Sequence, residues 1–114
     1  MKSIFPPPVD SLPEADVRIA GVSAHLSQGS DHQIVFMEYS RDADLPEHVH
    51  AGQWGVVLEG RIDLVIDGVP GSYEKGDRYF IPAGMKHSGR IYAGYADITF
   101  FDQADRYGAK PKSG

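Results

Sequence analysis

The stretch PEHVHAGQWGVVLEG, residues 46–60, decides how this chain folds. His48 and His50 stand two residues apart, and alternate side chains of an extended strand share a face, so both imidazoles are expected to point the same way. The next two residues permit a bend, after which an apolar run extends from Gln53 to Gly60. The stretch therefore predicts strands on either side of a bend, with two histidines on one face.

A second segment, GDRYFIPAGMKH at residues 76–87, ends in a third histidine. We expect the two segments to meet in space and to bind one metal ion through His48, His50, Gln53 and His87. Neutral imidazole is a good ligand for first-row metal ions, and three imidazoles from two strands leave coordination positions open. Because only neutral imidazole binds, the metal is expected to leave as the pH falls through about 6.

The composition restricts the class of protein. A chain of 114 residues with 41% apolar and 24% charged residues is typical of one soluble globular domain. The absence of cysteine excludes disulfides and thiolate metal sites. A net charge of −5 argues against nucleic-acid and anionic-membrane partners, and no signal peptide or membrane span is recognisable. We therefore expect a cytoplasmic protein whose partner is a small molecule.

Short apolar segments separated by turns predict an all-β fold. About nine strands with turns every 6–12 residues are expected, and no window shows a helical period, which favours a sandwich or barrel. The sequence Asp67-Gly68 predicts a tight hairpin. Besides the histidine-bearing strand, the predicted strands cover residues 17–26, 34–39, 53–58, 61–67, 71–74, 78–81, 85–92 and 95–101.

The predicted single domain is flanked by two short segments. Residues 1–16 are expected to form an N-terminal arm, since three consecutive prolines favour polyproline II and cannot lie inside a sheet. Residues 17–103 are the expected β-barrel domain. Residues 104–114 are the expected C-terminal tail, with one helical turn predicted at 103–107 and a frayed end from 109 to 114.

The two histidine-bearing segments resemble the two motifs of the cupin superfamily. In the first motif, His48, His50 and Gly60 match, and Gln53 stands where the family has glutamate. The gap after His50 is one residue shorter than usual, and the leading glycine of the motif is absent. In the second motif the matches are Gly76, Pro82, Gly84 and His87, while Ile91 replaces the final asparagine.

The resemblance implies a small single-domain cupin, with a jelly-roll β-barrel, also called a double-stranded β-helix. It implies a metal ion inside the mouth of the barrel and homodimers as the common assembly. It does not imply one activity, because many chemistries occur on this scaffold.

Gln53 in place of glutamate favours one kind of metal chemistry. Four neutral ligands leave a divalent ion its full charge, which favours anionic ligands and polarisation of a carbonyl or enolate oxygen and disfavours a +3 state. We therefore expect one divalent transition-metal ion, Zn or Ni in preference to Fe, Mn or Cu, in an isomerase, cyclase or lyase. The alternatives are a non-catalytic binding cupin, a metal-dependent dioxygenase and a barrel with a purely structural ion.

Other side chains have simpler expected roles. His25 and His32 flank a turn and are expected to be exposed and unrelated to the site. Trp54 is assigned to barrel packing or to a dimer interface, and Gln53 itself could hydrogen-bond nearby without binding metal. The nearest acid–base candidates are Glu38, Glu47 and Asp102, each expected to be a solvated charge.

Overall fold

Two antiparallel sheets make up most of the computed structural model, which describes residues 3–111. The strands of this part of the chain are β1 (Val22–Gln28), β2 (Gln33–Tyr39), β3 (Ala43–His48), β4 (Gln53–Glu59), β5 (Arg61–Ile66), β6 (Val69–Glu74), β7 (Arg78–Ile81), β8 (His87–Ile91) and β9 (Ala96–Phe101). One helix, α1 (Pro7–Asp10), precedes them. Within residues 3–111, no helix has the length and apolar character needed to cross a bilayer.

The strand order is that of a jelly roll. The larger sheet has the order β1-β2-β9-β4-β7 and the smaller has β3-β8-β5-β6, so that strands distant in sequence become neighbours. The buried core draws from both sheets, with Val35, Val57 and Phe101 on the first and Leu64 and Ile91 on the second. The prediction of an all-β jelly-roll barrel is confirmed.

Alternation along the strands sets which side chains enter the barrel. In β2, residues 33, 35, 37 and 39 are buried and their neighbours are partly covered. In β5, Ile62 and Leu64 are buried as predicted. Asp67 and Gly68 link β5 to β6 with φ angles of 49° and 78°, the left-handed pair that a tight type I′ hairpin requires, as the sequence predicts.

The N-terminal segment packs on its own barrel. Phe5 is buried edge-on against Phe36, with ring centroids 5.5 Å apart, on the outer face of β2. The prolines do not form the predicted polyproline II segment: Pro7 begins α1, a position where a missing N–H costs no hydrogen bond. The predicted strand at 17–26 is wrong over its first five residues, since β1 begins only at Val22.

The C-terminal segment differs from its prediction for an identifiable reason. Residues 103–107 form bends rather than the predicted helical turn. The reason is that the side-chain amide of buried Gln33 donates to the carbonyl oxygen of Tyr107 and accepts from its backbone N–H. Ala109 then forms an isolated bridge with Ala15, and the amide of Lys110 donates to the carbonyl of Glu14, so residues 109 and 110 are paired rather than frayed. Of the predicted frayed end, residues 112–114 lie outside the described part of the chain. This arrangement holds residues 103–107 against one end of the barrel.

Candidate metal centre

A cavity of about 610 Å³ lies between the two sheets. Its wall is mostly apolar, with contributions from Met37, Tyr39, Ile62, Leu64 and Ile91. Its polar lining residues are His48, His50, Gln53, His87, Asp97, Gln103 and Arg106, together with the hydroxyls of its tyrosines. The predicted ligand residues therefore share one cavity.

Strand pairing brings the first and third histidines together. His48 ends β3 and His87 begins β8, and the two are direct register partners, with ring centroids 4.1 Å apart. The register shifts between Leu45 and His48, at Pro46, which has no N–H to donate to the ladder. Residues 41–44 were expected to form a polar loop leading to Leu45 and Pro46, but β3 already begins at Ala43. The strand tolerates the proline because of the register shift.

His50 reaches the site from a connection rather than from a strand. β3 ends at His48, so the expectation that both histidines lie on one extended strand is wrong for His50. The carbonyl oxygen of His50 accepts a hydrogen bond from the amide of Gly84 at 3.0 Å, and that of Gly52 accepts one from the amide of Asp102 at 2.8 Å. These bonds tie the first motif to the second and to the end of β9.

Each imidazole is oriented by a backbone carbonyl. The Nδ1 atoms of His48, His50 and His87 donate to the carbonyl oxygens of Pro46 (2.8 Å), Ala51 (2.6 Å) and Met85 (3.0 Å). A carbonyl accepts only from N–H, so the proton of each neutral ring is on Nδ1 and the lone pair is on Nε2. Metal-binding histidines commonly donate their other ring N–H to a carbonyl in this way, which fixes their tautomer and orientation.

The inward nitrogens fit a bound cation. The Nε2 atoms of His50 and His87 lie 3.0 Å apart, and the ligand nitrogens of all three histidines lie within 4.8 Å of one another. Two ligands that bind one ion at about 2.0–2.1 Å are roughly 3 Å apart when they subtend a right angle. Without a cation, the lone pairs of His50 and His87 would face each other, so the donor set fits a metal better than it fits a plain hydrogen-bond network.

Burial keeps the imidazoles of His50 and His87 neutral. It lowers the pKa of His50 from 6.5 to about 4, although the bond to the carbonyl of Ala51 acts in the opposite direction. Burial also lowers the pKa of His87, against the effect of its bond to Met85. Both rings are therefore unprotonated near neutral pH and available as ligands.

Gln53 lines the same cavity and is oriented by its own hydrogen bonds. Its Nε2 donates to the hydroxyl of Tyr79 at 3.3 Å and to Oγ1 of Thr99 at 3.1 Å. Both amide hydrogens are thereby used in these two bonds. The amide oxygen is the atom of this group that can bind a metal. Its ligation of a metal stays a prediction.

Two charged residues of the cavity were not predicted from the sequence. Asp97 and Arg106 both line it, whereas the expected acid–base candidates Glu47 and Asp102 are exposed. Glu38 binds Ser3 outside this cavity, with Oγ and Oε1 2.7 Å apart.

We predict that metal binding depends on the triad. A His87→Ala variant should lose metal affinity by at least about 100-fold. The ion then loses one of its three imidazole ligands, a ring that its own hydrogen bond holds in the binding orientation. His25→Ala is the matched control, since His25 pairs in β1 with Phe36 and lies outside the triad. Elemental analysis of the purified proteins after loading with Zn²⁺ measures the effect; equal metal content in both variants would contradict it.

The second prediction concerns pH. The folded-state pKa of His50 lies below the ordinary value of 6.5, so the unfolded chain binds more protons between pH 6.5 and about 4. The unfolding free energy of metal-free protein should therefore fall as the pH is lowered through this window, and metal should leave below pH 6 rather than at it. Denaturant melts and metal content from pH 7 to pH 4 check both; metal release already complete at pH 6.5 would disprove the lowered pKa.

Comparison with solved structures finds the same fold in several proteins. An RmlC-like cupin from Shewanella frigidimarina is 23% identical, with a TM-score of 0.71 over 82% of this chain and 86% of that one. KdgF from Halomonas sp. is 19% identical, with a TM-score of 0.67 over 80% of this chain and 87% of that one. At these identities the likeness shows the fold alone.

A larger protein contains a similar unit. Oxalate decarboxylase from Bacillus subtilis is 18% identical, with a TM-score of 0.69 over 85% of this chain but only 29% of that one. Another structure of that enzyme concerns its Mn(II) centres. No curated protein matches the sequence significantly.

A family model gives the assignment. The model of the cupin domain matches residues 35–94, which is more than half of the 114 residues and spans the chain from within β2 to just before β9. All three triad histidines lie inside this range. His48 and His87 face one another across paired strands, and His50 stands two residues after His48. The chain belongs to the cupin family.

Proposed function

We propose that this protein is a metal-dependent enzyme acting on a small molecule rich in oxygen or bearing a carbonyl group. One divalent transition-metal ion, with Zn or Ni favoured, is held by His48, His50 and His87, and Gln53 supplies a fourth ligand through its amide oxygen. The observation that carries the proposal is the convergence of three inward-facing imidazole nitrogens on a cavity large enough for a substrate. When bound, such an ion polarises carbonyl and enolate oxygens as a Lewis acid.

The protein's own residues orient and enclose the substrate. The backbone carbonyls of Pro46, Ala51 and Met85 hold the three rings in place, so little reorganisation is needed when substrate binds. The apolar wall restricts water around the reacting group and strengthens electrostatic interactions there. Three imidazoles and the amide oxygen of Gln53 leave positions open for substrate oxygens on an ion that expands to five or six ligands, whereas the ion of a structural site is closed by its protein ligands.

Charge favours an acidic substrate. The proposed ligands are all neutral, so the ion retains its charge, and Arg106 adds a second positive group to the cavity wall. The Arg106 guanidinium carbon lies 4.4 Å from the ring centroid of Tyr107 and 5.7 Å from that of Phe101, so aromatic faces hold it at the cavity. A small carboxylate that also carries a carbonyl oxygen is the substrate class that this arrangement suits.

The third prediction tests the proposed ligand role of Gln53. In Co²⁺-loaded protein, Gln53→Ala should change the visible absorption bands, because loss of an oxygen ligand alters the geometry around the ion. Gln28→Ala is the control, since the side chain of Gln28 bonds to Gly29, Ala104 and Gln33 and to none of the proposed metal ligands. Identical spectra for Gln53→Ala and wild type would show that Gln53 is not a ligand.

The fourth prediction tests Lewis-acid chemistry. In D₂O, a panel of small 2-oxo acids should include members whose α-protons exchange for deuterium faster with Zn²⁺- or Ni²⁺-loaded protein than without it, because a stabilised enolate exchanges its proton. Proton NMR follows the exchange. A chelator should abolish the enhancement and added metal should restore it. Exchange that is equally fast with and without the chelator contradicts the mechanism. An increase in melting temperature with these acids but without exchange favours a binding protein.

We also propose that the protein is a homodimer. Phe80, Trp54, Phe100 and Ile34 are register neighbours across β7, β4, β9 and β2, which puts them in one row on the outer face of the larger sheet. Trp54 and Phe80 are 47% and 59% exposed, an apolar surface of the kind that interfaces cover.

The fifth prediction follows from this row. Trp54→Ser should shift the protein towards monomer in light scattering coupled to size exclusion, because aromatic residues dominate interface energetics. Val69→Ser, at an apolar residue of the β5–β6 hairpin that is more exposed than Trp54, should leave the mass unchanged. A monomeric wild type, or a dimer unaffected by Trp54→Ser, would exclude this interface.

A further inference from the structure

Asp97 is a buried carboxylate with half of its hydrogen-bonding capacity unused. It lies on the inner face of β9, is 2% exposed and lines the cavity that the histidine triad shares. Its Oδ2 accepts hydrogen bonds from the hydroxyls of Tyr79 at 2.9 Å and Tyr95 at 2.5 Å. Its Oδ1 is buried and has no hydrogen-bond donor among the described residues.

Such an oxygen is costly unless something binds it. A buried polar atom without a partner loses its hydration for no compensating bond, and the loss is greater for a charged group. Asp97 also forms no ion pair in the described part of the chain. A purely structural role would be fulfilled by Oδ2, which already holds both tyrosine hydroxyls, so the unused Oδ1 calls for another explanation.

Tyr79, which bonds to Asp97, packs closely against its neighbours. Tyr79 lies over Gly55, where any Cβ atom would meet the tyrosine ring at 2.3 Å, so the ring position depends on that glycine. Tyr79 also accepts a hydrogen bond from Gln53, at 3.3 Å. Two hydrogen bonds therefore separate the proposed fourth metal ligand from Asp97, and the carboxylate belongs to the same cavity as the metal site rather than to a separate one.

We propose that Asp97 Oδ1 is a ligand-binding group that accepts a hydrogen bond from a hydroxyl of the substrate, at the end away from the metal. The inference rests on the proposed function in one respect, that the metal holds the other end through carboxylate or carbonyl oxygens. The substrate class is thereby narrowed to hydroxylated small carboxylates. An ammonium group is disfavoured at this position because the positive charges of the ion and Arg106 outweigh the single negative charge of Asp97 in the cavity.

The protonation states agree with an acceptor role. Burial raises the pKa of Asp97 to about 6, with the bonds from Tyr95 and Tyr79 acting in the opposite direction. Burial also raises the pKa of both tyrosines, so they remain protonated donors. Above pH 7 Asp97 is therefore mainly ionised, and Oδ1 can only accept.

The test compares matched ligands on metal-loaded protein. Isothermal titration calorimetry at pH 8 with Zn²⁺-loaded protein measures the affinity of ω-hydroxy carboxylates of three to six carbons and of the unsubstituted acids of the same length. The unsubstituted acids are the more apolar, so an apolar cavity alone would favour them. The inference requires the opposite: at one chain length the hydroxy acid should bind about ten-fold tighter or more, as a hydrogen bond to a charged acceptor provides.

A variant assigns the preference to the carboxylate. Asp97→Asn keeps the side-chain shape and an oxygen for the tyrosines, but it replaces the charged acceptor by a neutral amide, so the preference for the hydroxy acid should fall to within about two-fold. Asp102→Asn, the same change at an exposed position just after β9, should keep it. The wild-type comparison stands even if Asp97→Asn does not fold.

The outcomes separate this inference from the proposed function. Zn²⁺-dependent binding of both acids without preference, or a preference that survives Asp97→Asn, overturns the role of Asp97 and leaves the metal site intact. A hydroxyl preference that is lost in Asp97→Asn but is the same with and without Zn²⁺ supports the role of Asp97 and contradicts the role of the metal. Failure of every acid to bind the wild type overturns the inference.

Discussion

Three hydrogen bonds from imidazole Nδ1 atoms to backbone carbonyls are the constraint on which the site depends. They turn the Nε2 atoms of His48, His50 and His87 inward and leave their lone pairs facing one another. Metal-free protein has these acceptors close together without a donor, which costs free energy. A bound cation removes that cost, so the site is organised for a metal at the expense of the metal-free state.

The β-barrel supplies the rigidity that such an arrangement needs. His48 and His87 are cross-strand partners, and the amide of Gly84 holds the carbonyl of His50, so both family motifs meet through main-chain bonds. Main-chain pairing depends little on the identity of the surrounding side chains. This is a physical reason why one scaffold carries many chemistries, with the specific reaction set by other residues of the cavity wall, such as Asp97 and Arg106.

The sequence predicts the fold well because the fold depends on local signals: alternation in β5 and the Asp67-Gly68 turn each act over a few residues. The histidine triad is not local, since His87 lies 37 residues from His50, and its convergence was expected from the resemblance of the two segments to the two cupin motifs. Contacts between residues that are distant in the sequence account for the predictions that are wrong. Gln33, seventy-four residues away, binds the backbone of Tyr107 where a helical turn was expected. The N-terminal prolines begin a short helix just after Phe5, whose ring packs on Phe36 of β2.

Asp97 shows most clearly why site residues are harder to predict than folds. In β9 the apolar residues Ile98 and Phe100 suggest an inner face, yet Asp97, Thr99 and Phe101 are the buried set. The outer face is apolar too, because it carries the row that includes Trp54, so alternation alone cannot identify the inside. An acidic residue opposite an apolar face in a central strand is the one sequence signal that could have indicated a polar group inside the barrel.

The most direct measurement of the central claim is anomalous X-ray diffraction from crystals loaded with Co²⁺ or Zn²⁺, collected on both sides of the metal absorption edge. The account predicts one anomalous peak in the cavity, about 2.0–2.2 Å from the Nε2 atoms of His48, His50 and His87. A peak bound through Nδ1, a peak at other residues, or no peak with the three rings unchanged would contradict it.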